Sequence, residues 1–302
     1  LEYYYGIQHK DKFEQLFGQY FIGQRENITP LQNQYLILRF DFSGVETQNQ
    51  SEIRGSFNNK LSKGITEFVS NYGGFDSSLI YQFERELSSA DYISSFLSSV
   101  SSNLKESKIY LLIDEYDHFT NDLFSFNFKH FKEIVSRNGW VRKFYEVIKQ
   151  FMGEGIIDRF FATGVTPVTL DSMTSGFNVA KNITLNPDFH NMAGFTESEL
   201  RGMLENTIYE GDNFDIDTVV SDMRSWYNGS KFSSEVNERL YNPQMVISFL
   251  SEFGRNLTYP MEMADQNVTS DYKKIANILT PLSTEESDEI ISTVLETDRF
   301  TE

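Results

Sequence analysis

Ile109-Tyr110-Leu111-Leu112-Ile113-Asp114-Glu115-Tyr116-Asp117 is the stretch that decides the fold. An apolar run bounded by polar residues is the pattern of a strand buried on both faces, as in a parallel sheet. Two acids, Asp114 and Glu115, close the run. The carboxyl edge of a doubly wound sheet is where ligands bind. The pattern therefore predicts two carboxylates at a cleft. Asp114 is placed to hold Mg²⁺ through water, and Glu115 to orient and deprotonate an attacking water. A plainer reading stands beside it, in which the acids only solvate the strand end and cap the next turn.

The flanking sequence alternates strands and helices. Residues 35–42 form an apolar strand that turns polar at Ser43-Gly44. Helical spacing follows at Ile53, Phe57, Leu61, Ile65 and Phe68-Val69, and Gly73-Gly74 breaks it. Another helix carries Ile93, Phe96-Leu97, Val100 and Leu104, and leads into the strand at Ile109. Val141, Phe144-Tyr145, Ile148 and Phe151-Met152 make an amphipathic helix before a strand over 156–162. Strand, helix, strand, helix, strand in this order predicts an α/β fold with a parallel sheet and right-handed crossovers. The last strand ends in Phe160-Phe161-Ala162-Thr163-Gly164, which puts the Thr163 hydroxyl on the same sheet edge as the acids.

The character of the chain changes near residues 189–194. Thr196-Glu197-Ser198-Glu199 is a capping box, in which hydroxyl and carboxylate satisfy the orphan amides of a helix start. Helices are expected at about 197–208, 214–227, 243–253, 271–279 and 284–297. Asn242-Pro243 is a helix start and Gly254 a helix stop. Two domains follow: an α/β core over 1–192 and a mainly helical lid over 193–302.

Charge and composition narrow the chemistry. The net charge is −18, with 26 Lys+Arg against 44 Asp+Glu. Each phosphate contact on a nucleic acid needs a cation, so direct nucleic-acid binding by this chain is not expected. Zero cysteines exclude disulfides, thiolate metal sites and cysteine nucleophiles. No apolar run is long enough to span a membrane. Leu1 carries no basic flank, so no signal peptide is expected and the location expected is cytoplasmic.

A sheet edge of this kind suits a nucleotide-hydrolysing P-loop protein, whose other half is a Gly-rich loop of form G-x-x-x-x-G-K-[ST]. The nearest match is Gly18-Gln19-Tyr20-Phe21-Ile22-Gly23-Gln24-Arg25. It lacks the Lys and the Ser/Thr, and bulky aromatics stand where a phosphate needs bare backbone. The expectation is that the first strand and its loop are missing from this chain. Leu1 to Tyr5 suits the last turn of the helix that such a loop begins.

The chain resembles the bacterial family of predicted AAA-ATPase-like proteins, which often carry a PD-(D/E)xK nuclease-like domain after the ATPase. Four blocks carry the resemblance: Ile113-Asp114-Glu115-Tyr116-Asp117, Ala162-Thr163-Gly164-Val165, Trp226-Tyr227-Asn228-Gly229-Ser230-Lys231-Phe232 and Tyr241-Asn242-Pro243. Residues 1–23 match the segment after the family's P-loop helix. The resemblance implies a P-loop-NTPase-like core, a helical or winged-helix-like lid, and ATP with Mg²⁺ as cofactor. It implies Asp114 at the Mg²⁺ position, Glu115 as catalytic base and Thr163 as the γ-phosphate sensor. Lys231 falls where the family often has a basic residue, a candidate phosphate contact from the lid. Tyr227 and Tyr241 are expected to pack between lid and core.

Remaining features are weaker. His9, His118, His130 and His190 show no metal-ligand spacing, and His118 reads as a loop residue. Glu106-Ser107-Lys108 is an E-x-K at a helix-to-strand junction, the wrong setting for a nuclease site. Phe119, Phe124, Phe126, Phe128 and Phe131 are expected in the core if buried and in a partner-binding patch if exposed. Two functions remain open. One is the ATPase core of a molecular switch that drives a protein partner or an attached effector domain. The other is a degenerate ATPase fold serving only as an interaction module. Without the Gly-rich loop, this chain by itself is expected to bind nucleotide poorly and hydrolyse it hardly at all.

Overall fold

The computed structural model describes residues 1–73, 88–103, 107–166, 168–173, 176–207 and 215–263, with Ser292. The chain divides into two compact units, Leu1–Ala180 and Lys181–Glu302.

The first unit runs α1 (Glu2–Tyr5), α2 (Phe13–Phe17), β1 (Tyr35–Asp41), α3 (Gln50–Tyr72), α4 (Ser89–Asn103) and β2 (Lys108–Asp114). It continues with α5 (His118–Phe126), α6 (Phe128–Val135), α7 (Trp140–Gly153), β3 (Ile157–Ala162) and α8 (Val168–Met173). The three strands form one parallel sheet in the order β1-β2-β3. The register sets Asp41 beside Asp114 and Ile113 beside Ala162, so all three strands finish at one level. This is the helix-flanked parallel sheet that the alternating pattern predicts, and it is consistent with a P-loop-like core.

One sheet face carries the main core. Leu36, Leu38, Phe40 and Phe42 are buried there with Ile53, Phe57, Phe96, Phe144 and Ile148 from the helices. The rings interlock: Phe42 stacks on Phe57 at 4.4 Å between centroids, and Phe57 meets Phe144 edge-on at 5.2 Å. Such aromatic pairs add to their area burial and fix the tilt of α3 and α7. On the opposite face the amino end of the sheet is covered by Tyr5, whose ring lies 5.4 Å from Tyr110. The outer edge of β1 is guarded. The Ile37 N–H donates to the Tyr72 hydroxyl at 2.8 Å, and that hydroxyl donates to Gln8 at 2.6 Å. A Cβ on Gly64 would lie 2.4 Å from the Arg39 carbonyl oxygen, so α3 approaches β1 where only glycine fits. Both devices protect an otherwise open strand edge.

One local expectation is corrected. The segment after the acidic strand is not a loop: it forms α5 and α6, with His118 opening the first. The apolar spacing of Phe119, Leu123, Phe131 and Ile134, all buried, is what makes these turns helical. The best match to a phosphate loop, around Gly18 to Arg25, contains a 3₁₀ turn at Phe21–Gly23. Gly23 there abuts the Phe17 backbone, so its lack of a side chain serves close packing.

The second unit holds α9 (Glu197–Glu205), α10 (Ile216–Tyr227), β4 (Asn228–Ser230), β5 (Leu240–Tyr241) and α11 (Pro243–Asn256). The capping box forms: Thr196 and Glu199 exchange side-chain and backbone bonds at the start of α9. Asp215 caps α10 and Asn242 caps α11. Leu200, Leu204, Val220, Met223, Val246, Phe249 and Phe253 make a separate core. Tyr227 and Tyr241 are buried in that same core. The antiparallel β4-β5 pair is an element the helical reading of this region did not contain. Gly254 does not stop α11, which runs to Asn256 and leaves through Leu257 in the left-handed region at φ 51°. Gly254 instead sits where a Cβ would meet the Thr207 methyl at 3.2 Å. The helices expected at 271–279 and 284–297 lie outside the described residues. No helix among the described residues is long and apolar enough to cross a membrane.

Candidate functional site

The carboxyl edge of the sheet brings Asp114, Glu115 and Thr163 together. Asp114 is the last residue of β2 and is exposed there. Thr163 follows β3 and is clamped by two backbone bonds, its N–H to the Ile113 carbonyl at 2.9 Å and its carbonyl to the Tyr116 N–H at 3.0 Å. That clamp aims the Thr163 hydroxyl at Asp114, to whose Oδ1 it donates at 2.5 Å. The Glu115 N–H donates to the same oxygen at 3.1 Å. Two donors on one carboxylate oxygen fix its orientation and leave the second oxygen to a ligand.

Glu115 turns the chain off the strand with φ at 48°. For a non-glycine residue this left-handed conformation costs on the order of 1 kcal/mol and marks a backbone held by its surroundings. The turn brings the Glu115 carboxylate to 3.2 Å from His118 Nδ1, at the first residue of α5. The strand end is thus linked to the helix that follows.

Asp117 anchors the site. Its side chain is fully buried, and its carboxylate accepts the Val165 N–H at 3.0 Å, the Thr166 N–H at 2.6 Å and the Asn121 amide at 2.7 Å. The Tyr116 hydroxyl donates to the Thr166 carbonyl at 2.6 Å. A Cβ on Gly164 would stand 2.3 Å from Asp117 Oδ1 and 2.5 Å from the Tyr116 ring. The loop leaving β3 is therefore strapped to the start of α5, with Thr163 held at the head of the strap. Sequence reading singled out Thr163 and missed Asp117, although Asp117 stands in the same acidic block. Two of its partners, the Val165 and Thr166 amides, lie 48 and 49 residues away, which no local pattern reveals.

Asp41 ends β1 at the same edge. Burial pushes its carboxyl up, but bonds from Ser43 and the charges of Lys60 and Arg39 outweigh burial and hold it below the ordinary range. It also lines a groove of about 730 Å³ against α3, with Arg39, Lys60, Lys63 and Glu67 among the other walls. The groove carries both signs of charge and selects no one ligand charge.

The other candidates fall elsewhere. Lys231 follows β4 in the second unit and is half-buried. Lys108 opens β2 and pairs with Asp158 at 3.2 Å, while Glu106 lies outside the described residues. His130 meets Glu133 at 3.1 Å, and buried His190 places Nε2 2.9 Å from the Glu238 carbonyl. Among the described residues no cluster of three or more metal-ligating side chains occurs.

Comparison with protein families matches residues 1–174 to the family described as predicted AAA-ATPase, more than half of the chain and the whole of the sheet. The chain belongs to the predicted AAA-ATPase family. Comparisons with curated proteins and with solved structures return no match. Membership of the AAA-ATPase family suggests nucleotide and Mg²⁺ as ligands, and the sheet edge can be tested against them. Mg²⁺ is bound through one or two protein carboxylates, with waters and phosphate oxygens filling the rest of its octahedron. A single oriented, exposed carboxylate at Asp114 fits that requirement.

Proposed function

We propose that this AAA-ATPase-family chain is the core of a molecular switch that binds and hydrolyses Mg-ATP, and that acts on a protein partner or an attached effector domain. The reading rests chiefly on one observation: the Thr163 hydroxyl and the Asp114 carboxylate are locked together at 2.5 Å on the carboxyl edge of a parallel sheet, beside Glu115. The bound Mg²⁺ supplies charge neutralisation for the transferring phosphoryl group. Asp114 holds the hydrated ion. Glu115 orients the attacking water and takes its proton. Thr163 fixes Asp114 and keeps that water in line. Phosphoryl transfer asks for positioning and charge stabilisation more than covalent work, which suits a site built from a strapped loop. The second unit serves as lid, with Lys231 its candidate phosphate contact.

The sequence contains no G-x-x-x-x-G-K-[ST] loop, so the phosphate cradle is the part these residues do not supply. This chain alone is therefore expected to give no melting shift with Mg-ATP. A protein that joins these residues to such a loop is expected to be stabilised by about 2.7 kcal/mol at roughly 100-fold the dissociation constant. In that protein Asp114→Ala removes the Mg-dependent shift. Glu115→Gln keeps ATP binding while turnover falls by about 10²-fold or more. Unchanged turnover in Glu115→Gln, or lost binding with unchanged folding, would overturn the assignment.

A further inference from the structure

We infer that Phe124, Phe126 and Phe128 form a docking surface for an amphipathic helix of a partner protein, one whose apolar stripe is flanked by acidic residues. The three rings are 38%, 64% and 47% exposed at the corner between α5 and α6. Two of them are held by ring contacts. Phe124 lies 5.3 Å from Phe128, edge-on, and both rest on Phe131, which is buried. Asn127 fixes the corner by capping α6, its side chain accepting the His130 N–H. Preset aromatic rings with one buried anchor are what a binding hot spot needs, because little freedom is lost on contact.

Charge selects the occupant. The chain carries −18, yet the stretch from Phe126 to Arg137 has three basic residues, Lys129, Lys132 and Arg137, against one acid, Glu133. Glu133 is engaged by His130, and Lys132 lies over the Phe128 ring at 4.4 Å. Lys129 and Arg137 have no carboxylate partner among the described residues. An apolar corner that carries Lys129 and Lys132 on α6, in an acidic protein, matches an apolar stripe rimmed by Asp and Glu.

The backbone selects the shape. The corner consists of helices, whose amides are bonded internally, so a partner strand could gain no main-chain ladder here. Recognition must run through side chains, and a helix with apolar residues at i, i+3, i+4 and i+7 presents such a stripe. A bilayer or a second copy of the chain would meet the whole acidic surface, whereas a single partner helix feels the field only within a Debye length of about 8 Å. The inference stands independently of the nucleotide reading.

The test uses the full chain and a dye-labelled synthetic helix of about 18 residues with a leucine stripe and glutamate flanks, followed by fluorescence anisotropy. A charge-swapped peptide with lysine flanks is the control. Binding of the acidic peptide in the micromolar range is expected, with the swapped peptide at least about tenfold weaker. Phe126→Ser with Phe128→Ser should weaken binding by about tenfold or more while the melting temperature holds. Lys129→Glu with Arg137→Glu, which leaves the rings intact, should reverse the preference between the peptides. Four results would overturn the inference. They are no binding of the acidic peptide near ~1 mM, a weak-affinity limit, equal binding of both peptides, a dimer in sedimentation that Phe126→Ser dissolves, or displacement by anionic phosphatidylserine vesicles.

Discussion

At Asp117 one carboxylate does the work of a whole turn. It accepts from Val165, Thr166 and Asn121 in a fully buried setting. Removing it strands three donors without water, so Asp117→Ala is expected to cost about 2–4 kcal/mol in urea unfolding. Asp117→Asn keeps one acceptor oxygen but sets an amide donor against the loop amides, and about 1–3 kcal/mol of loss is expected. Gly164→Ala tests the same strap from the other side. Its methyl would collide with Asp117 and Tyr116, which cannot retreat, so about 1–3 kcal/mol is lost and the Thr163 hydroxyl leaves Asp114. Loss of stability without displacement of Thr163, judged by a crystal structure of the variant, would detach the strap from the site. Asp114 and Glu115 could be read from sequence because strand pattern and chemistry coincide in one short run. Asp117 and His118 could not, because their meaning depends on a loop contributed by a later strand and on a turn with φ at 48°.

Among the elements, those with local signals were legible and those made by contact were not. The α9 start is written in Thr196-Glu197-Ser198-Glu199, and the α11 start in Asn242-Pro243. Thr196→Ala should therefore cost about 1 kcal/mol, measured by thermal or urea unfolding. A result near zero would mean that tertiary packing alone holds the first turn of α9. The β4-β5 pair carries no such signal. Asn228–Ser230 and Leu240–Tyr241 are too short for an alternating pattern, and they exist because Tyr241 fills the core beneath them. Gly254 misled for a related reason, since a glycine that permits close helix packing looks the same in sequence as one that ends a helix. The Phe-rich segment after β2 divided both ways: Phe119 and Phe131 joined the core, while Phe124, Phe126 and Phe128 stayed in solvent.

At the scale of the whole molecule, the two cores share no residue among the described ones, the buried residues of the first ending at Phe177 and those of the second beginning at Leu200. Residues 1–180 alone are therefore expected to fold with a cooperative melt, checked by circular dichroism. Acid should act on both units. The Tyr35 hydroxyl and Lys108 hold the Asp158 carboxyl below its ordinary value, and Arg224 does the same for Glu197. A carboxylate depressed in the folded state adds stability that is complete above its unfolded pKa and disappears as protons bind the folded form. The melting temperature should thus stay level from neutral pH to about pH 5 and fall below about pH 4. Base should act on both units, where burial pushes the Tyr72 and Tyr227 hydroxyls up to about 12. That contribution is complete below about pH 10 and is lost between there and about pH 12, because the unfolded chain ionises first. Asp158→Asn separates the acid effect from general charge repulsion: it should lower the melting temperature at neutral pH and flatten the acid limb. An acid limb of unchanged steepness in that variant would mean that self-repulsion, and not this carboxylate, sets the acid limit.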